Sequence, residues 1–164
     1  TVSRELLHSF ALQLGSDVPY FLQQGSALAQ GRGEILDYFE LDPPYAIVLC
    51  NPGIHVSTAW AYRHIRPHHR LVDLKRTVIE GMQDPAALSA LTNDFESAVF
   101  NEHAAIRQIK ETMLREGAVC SLLSGSGSSV YGLFSSKRDA EAATGILTQR
   151  GYFVSITDPH FQAM

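Results

Sequence analysis

The spacing of apolar positions changes several times along the chain, and each change predicts an element. Leu6, Leu7, Phe10, Ala11 and Leu14 recur at helical spacing, with Ser3 placed to cap the first turn and Gly15 to end the last. In Asp17-Val18-Pro19 the proline ring is expected to push Val18 toward extended geometry, because it clashes with a helical neighbour. Residues 26–30 and 34–39 then predict short strands around Gly31-Arg32-Gly33. Pro43-Pro44 breaks the pattern and is the best candidate for an internal boundary.

Residues 45–50 (YAIVLC) form a continuous apolar run, as expected of a strand covered on both faces, and Asn51-Pro52-Gly53 ends it. Ser57 is a plausible N-cap for a helix through Trp60 and Tyr62. Leu71, Leu74, Val78 and Met82 mark another helix, and Asp84-Pro85 predicts an N-cap followed by proline at the first position of a short third. From 102 to 116 one stripe of Ile106, Ile109, Met113 and Leu114 predicts a single helix stopped by Gly117. Strands are expected at 119–123 and 130–134, then a helix over 137–150 and a last strand at 152–156. From residue 45 the order is roughly β, several α, β, β, α, β. That order predicts an α+β class, with helices packed on one face of a mainly antiparallel sheet.

Composition narrows the function classes. Apolar residues make up 45% of the 164 and charged residues 18%, enough for a real core and too apolar for a disordered linker. The net charge is −4 with no Lys/Arg cluster, which argues against nucleic acid as a partner. No apolar run approaches the roughly 20 residues that span a bilayer, and the opening TVSRELLHSF lacks a signal-peptide pattern, so no membrane is expected. Cys50 and Cys120 each sit in an apolar run, as buried free thiols of a reducing compartment do; a cytoplasmic location is expected. The chain opens directly on a helical pattern, which is expected of a chain lacking its beginning.

Candidate chemistry lies in a few segments, each with a plainer alternative. The loop at 124–129 (SGSGSS) joins two predicted strands and is either a hairpin turn or a small-residue backbone that another chain or a phosphate can approach closely. It lacks the Gly-Lys-Ser/Thr of a Walker A loop and the register of a hydrolase nucleophile elbow. Asp17, held between a glycine and a proline at a helix end, could serve as a general base or merely as a turn or capping residue. Thr58 and Tyr62 are four apart and share a helix face, where they suit a ligand carrying a base or sugar, or else a helix start with core aromatics. His64 and His68 have zinc-pair spacing, but Pro67 interrupts the face, so structural or solvated histidines are expected and no metal ligand is assigned. Asn93-Asp94-Phe95-Glu96 is most simply a capping segment.

Taken together, the segments 14–21 (LGSDVPYF), 27–34 (ALAQGRGE), 51–62 (NPGIHVSTAWAY), 93–96 (NDFE) and 123–134 (LSGSGSSVYGLF) resemble, in that order, the C-terminal half of a GHMP-superfamily small-molecule kinase. The Gly/Ser loop marks the superfamily. The Asp-Val-Pro and Ser-Thr segments together with NDFE favour the branch that phosphorylates the 2-hydroxyl of a cytidine diphosphate-linked methylerythritol in non-mevalonate isoprenoid precursor synthesis.

The resemblance implies a ferredoxin-like C-terminal domain at 44–164, preceded at 1–43 by a remnant of the N-terminal ATP and substrate domain. Asp17 falls on the catalytic aspartate, Thr58 on a substrate-contacting hydroxyl, and Tyr62 on the aromatic residue that stacks on cytosine. Gly125, Ser126, Gly127 and Ser128 correspond to the superfamily loop that packs beside the ATP phosphate loop and supports it. Asp17 and Thr58 are thereby expected in one concave site. ATP and magnesium are the implied cofactors, but the lysine partner of the aspartate, the phosphate loop and the magnesium-placing serine and glutamate would all lie upstream. The missing N-terminal half is thus an implied partner, and the chain by itself is expected to be inactive. The alternatives are another GHMP kinase, of homoserine or mevalonate kinase type, and a non-catalytic α+β metabolite-binding module. An upstream lysine and phosphate loop would distinguish a kinase from such a module.

Overall fold

A computed structural model describes residues 2–65 and 72–157. The chain divides into two compact units, Thr1–Asp42 and Pro43–Met164.

In the first unit, α1 (Arg4–Leu14) starts where Ser3 accepts a hydrogen bond from the Leu6 amide, and it ends at Gly15. Its apolar stripe buries only Ala11; Leu6, Leu7, Phe10 and Leu14 remain exposed. A short 3₁₀ helix, Val18–Leu22, follows. Val18 therefore opens a helical turn instead of the extended segment its proline neighbour predicted. Backbone bonds from Val18 N to Gly15 O (3.2 Å) and from Tyr20 N to Asp17 O (3.3 Å) close this turn and outweigh the local preference. Strands β1 (Ser26–Gln30) and β2 (Ile35–Phe39) pair antiparallel from Ser26 opposite Phe39 to Gln30 opposite Ile35. Tyr20 ties the turn to this hairpin: its hydroxyl donates to Gly25 O (2.9 Å), its own carbonyl accepts from the Tyr38 hydroxyl (3.0 Å), and the two rings stack.

The second unit is built on a four-stranded antiparallel sheet of β3 (Ala46–Asn51), β4 (Cys120–Leu123), β5 (Val130–Phe134) and β6 (Phe153–Thr157), in the order β4-β5-β3-β6. Helix α2 (Thr58–His64), α3 (Leu74–Gly81), a 3₁₀ helix at Pro85–Ala90, α4 (Glu96–Glu102) and α5 (Ala104–Arg115) lie between β3 and β4. Helix α6 (Lys137–Gln149) lies between β5 and β6. With the helices condensed to one crossover, this is the βαββαβ order of a ferredoxin-like fold.

Alternation along the strands sorts side chains onto two faces. Val48, Cys50, Val130, Phe134 and Leu123 join Val99, Ile106, Ile109, Met113, Ala143 and Leu147 in the main core. Each fully buried Val, Ile, Leu, Met or Phe side chain among them contributes about 1.5–3 kcal/mol relative to exposure. Gly132 makes the close approach possible, because a Cβ there would stand 2.9 Å from Met113 Sδ. The opposite face is not bare: Tyr45, Cys120 and Leu122 pack with Leu88, Met82 and Leu91, so the segment of α3 and the following 3₁₀ helix covers the β4 side. Helices on one face only was therefore too simple. The run at 45–50 is likewise not uniformly buried; Ile47 and Leu49 are half-buried, while Val48 and Cys50 are fully covered.

The helix predicted over 102–116 forms as α5, and α4, which no expectation covered, precedes it; His103 leaves helical geometry between the two (φ −125, ψ 82). The break redirects the chain so that Val99 of α4 and Ile106 of α5 both reach the main core. Asp84 does cap and Pro85 does lead the next element, but that element is a 3₁₀ helix. Helix α3 is capped by Asp73, and the predicted contribution of Leu71 lies outside the described residues.

Cys50 and Cys120 are free and buried. Burial pushes the Cys50 thiol up to about 12, and burial raises Cys120 as well. Since the thiolate is the reactive form, neither thiol should react with a disulfide reagent at pH 8 until the fold opens. Labelling that keeps pace with a free thiol in native buffer would contradict this.

Candidate active site

Helix α2 decides which of its residues meet solvent. Ser57 caps it by accepting from the Trp60 amide, which sets the rotation of the first turn. Trp60 then packs against the main core and Ala61 is fully buried. Thr58 and Tyr62, on the other face, stay exposed, and the Tyr62 side chain retains 64% of its accessibility. The core-aromatic alternative thus applies to Trp60 and not to Tyr62. The Tyr62 ring meets Phe95 edge-on at a centroid distance of 5.0 Å.

The Gly/Ser loop is a tight β4–β5 connection, closed by Ser124 N to Ser129 O (2.8 Å) and Gly127 N to Ser124 O (2.9 Å). Gly125 and Gly127 take positive φ of 55° and 92°, which a side chain would disfavour. Around Gly125 nothing lies within 4 Å of where a Cβ would stand, so its backbone is open to approach. The loop reaches α2 directly: Thr58 Oγ1 and Ser126 Oγ are 3.1 Å apart, although 68 residues separate them. Ser128 is buried, and Ser129 accepts from Asn51 Nδ2 at 2.9 Å. Thr58, Tyr62 and the loop at Gly125, Ser126 and Gly127 are therefore parts of one surface of the second unit, and Ser128 of the same loop is buried.

The segment Asn93-Asp94-Phe95-Glu96 does more than cap. Asn93 Nδ2 donates to both Leu123 O and Gly125 O at 2.8 Å, and its Oδ1 accepts from Phe95 N at 2.9 Å. Glu96 Oε1 accepts from Leu123 N at 3.0 Å while Oε2 pairs with Lys110 Nζ at 2.6 Å. The capping expectation holds in part: Asn93 Oδ1 takes the Phe95 amide just ahead of α4, whose N-cap residue Phe95 makes no side-chain cap bond, while Asn93 Nδ2 and Glu96 Oε1 reach β4 and its loop. Nothing in the local sequence pattern signals that.

A cleft of about 600 Å³ opens beside this surface, lined among others by Tyr62, Leu74, Asn93, Phe95, Gly125 and Tyr131. The Tyr131 hydroxyl at its edge is pushed up to about 12, chiefly by burial, so it remains a neutral donor.

Asp17 belongs to the first unit. It stands before the 3₁₀ helix with helical backbone (φ −90, ψ −11) and makes no side-chain cap bond, so a helix cap is not its role. Its carboxylate lies against Gly33, where an added Cβ would fall 2.2 Å from Oδ1. The glycine of the AQGRGE segment thereby leaves room for the aspartate of the LGSDVPYF segment.

His64 Nδ1 donates to Trp60 O (2.8 Å) and its ring stacks on Trp60, as a structural histidine; His68 and Pro67 lie outside the described residues. No group of three or more His, Cys, Asp or Glu side chains among the described residues is placed to hold a metal ion. No helix among the described residues is long and apolar enough to cross a membrane.

Residues 71–152, half of the 164, match the family model described as GHMP kinases C terminal. The chain is 45% identical over 160 residues to the 4-diphosphocytidyl-2-C-methyl-D-erythritol kinase of Chlorobium phaeobacteroides (strain BS1), covering 94% of this chain and 56% of that protein. A crystal structure of 4-(cytidine 5'-diphospho)-2C-methyl-D-erythritol kinase superposes with a TM-score of 0.76 at 29% identity, over 92% of this chain and 56% of that one. Homoserine kinase from Cytophaga hutchinsonii shares the fold, with a TM-score of 0.70 at 18% identity over 96% of this chain and 57% of that one. The chain spans about 56% of the length of the curated relatives it matches. The ferredoxin-like sheet, the Gly/Ser loop between its strands and the match over 71–152 together make this chain a member of the GHMP kinase family, whose C-terminal domain it carries.

Proposed function

We propose that this chain is the C-terminal part of an ATP-dependent kinase that phosphorylates the 2-hydroxyl of 4-diphosphocytidyl-2-C-methyl-D-erythritol. Residues 1–43 belong, in this reading, to its N-terminal ATP and substrate domain. Asp17 accepts the proton of the attacking hydroxyl. Thr58 contacts the substrate, Tyr62 stacks on the cytosine ring, and Gly125, Ser126, Gly127 and Ser128 back the ATP phosphate loop. The observation that carries the proposal is the 3.1 Å contact between Thr58 and Ser126. It joins a substrate-side hydroxyl to the nucleotide-side loop, and phosphoryl transfer depends on holding both ends of the reaction in register.

ATP supplies the transferred phosphoryl group. Holding its triphosphate and placing magnesium falls to residues of the enzyme beyond this chain. What these residues do is bind a flat ring, orient a hydroxyl and remove its proton. The exposed Tyr62 ring, braced from one side by Phe95, suits stacking because it presents an apolar face without demanding hydrogen-bond partners.

The test is transfer of the γ-phosphate of ATP to the cytidine-bearing alcohol by the enzyme containing this chain, with homoserine and mevalonate as control acceptors. Tyr62→Ala should weaken binding of the cytidine substrate by about 1–3 kcal/mol and leave ATP affinity nearly unchanged. Calorimetry with each ligand measures both. Equal weakening of both ligands would mean that the variant damages α2 rather than a stacking site.

A further inference from the structure

Side chains reach the Gly/Ser loop from outside its own turn from Asn51, from Thr58 and from one short segment, 93–96. The Asn93 amide nitrogen bridges two carbonyls, of Leu123 and Gly125, on either side of Ser124. Glu96 takes the amide of Leu123, the last residue of β4. Its second oxygen is held by Lys110 from α5, and both side chains are largely covered, at 22% and 15% accessibility. Between Asn93 and Glu96, Phe95 carries the ring against which Tyr62 rests. The segment therefore touches the loop on one side and the aromatic face of α2 on the other.

We infer that Asn93 and Glu96 are positioning residues that clamp the Gly/Ser loop and, through Phe95, set the Tyr62 ring in the same frame, with Lys110 as the counter-charge facing the second oxygen of Glu96. The geometry of each bond gives it a distinct chemical requirement. Asn93 must be a donor toward the loop, since both loop partners are carbonyls, and an acceptor toward Phe95 N. Glu96 must be an acceptor toward Leu123 N, and needs its charge only because Lys110 faces it. A carboxylate left in that place without Lys110 would be an uncompensated covered charge; a neutral amide would not. The clamp joins two parts that the proposed kinase reaction uses together, the nucleotide-side loop and the substrate ring. That catalytic use rests on the kinase reading, whereas the clamp itself does not.

The requirements predict a pattern that general loss of packing does not produce. Asn93→Asp keeps the shape and the bond from Phe95 N but sets an oxygen against two carbonyls. In the 164-residue chain it should speed amide exchange at Ser124 and Gly127 by about tenfold or more, and shift the Tyr62 ring resonances, while the β3–β5 ladder amides keep their rates. Lys110→Met should loosen the same loop amides, and Lys110→Met with Glu96→Gln should restore them, because the amide still accepts from Leu123 N without a counter-charge. Should Asn93→Asp not fold, the lysine variant and its rescue decide alone. Loop amides that stay as slow as in the parent, or acceleration spread equally over the ladder, or no rescue by Glu96→Gln, would overturn the clamp. In the full kinase, Asn93→Asp should lower kcat and raise the KM for ATP. A loosened loop with unchanged kinetics would leave the clamp standing and sink the loop's role in the kinase reading.

Discussion

Asp17→Asn, made in the kinase that contains this chain, should lower turnover by about 10²–10⁴-fold, the usual worth of a positioned general base. The aspartate is exposed and makes no helix-cap bond, and its carboxylate rests against the bare backbone of Gly33. An amide of the same shape fits that place but cannot take a proton. An exposed substitution of this kind should change stability by less than about 0.5 kcal/mol, so turnover and unfolding separate cleanly. Steady-state kinetics and thermal unfolding of the same preparation check both halves. Near-parental turnover would assign Asp17 to the turn alone. A large drop in unfolding temperature would show that the carboxylate holds the fold, against the argument from its exposure.

The second large effect concerns the 164 residues taken by themselves, which should transfer no phosphate and bind ATP poorly. Their relatives are nearly twice as long, and the resemblance assigns the phosphate loop and the catalytic lysine to the part these residues do not match. Without that loop and lysine, the triphosphate lacks the preorganised donors that an in-line transfer needs. The first unit also carries apolar side chains in the open, among them Leu14 at 81%, Phe21 at 78% and Phe10 at 51% accessibility, which favour self-association. ATP calorimetry, a phosphate-transfer assay and a sedimentation run on the purified chain test this. The transfer assay is then repeated with the separately expressed N-terminal half of a full-length relative. Turnover by the chain alone would mean that the active site has been misplaced. Turnover that appears only on mixing would support a site completed by both halves.

Much of this was legible from local pattern. Period-two alternation and an apolar run identify strands wherever they pair, because side chains alternate across any sheet. Ser3, Ser57, Asp84 and the glycine at 117 mark element ends because capping is satisfied within a few residues. The shared face of Thr58 and Tyr62 follows from spacing alone, since four residues make about one helical turn. The order of elements after residue 45 suffices to name the fold class, as few ways exist to cover one antiparallel sheet with those helices.

Tertiary structure decided what spacing leaves open. Trp60 and Tyr62 are both aromatic and two residues apart, and only the position of the core sends the first inward and the second to solvent. Helix α4, which lies ahead of the stripe at 102–116, reaches through Val99 the same core that α5 reaches through Ile106. Val18 folds into a turn because bonds and packing around Tyr20 outweigh the preference of a residue before proline. Leu6, Leu7, Phe10 and Leu14 have a core-like period, yet periodicity says only that a face is apolar, not what covers it. The work of Asn93 and Glu96 was invisible for the plainest reason. Their partners stand 27 to 32 residues away, and a polar side chain announces nothing about a carbonyl that only the folded chain brings to it.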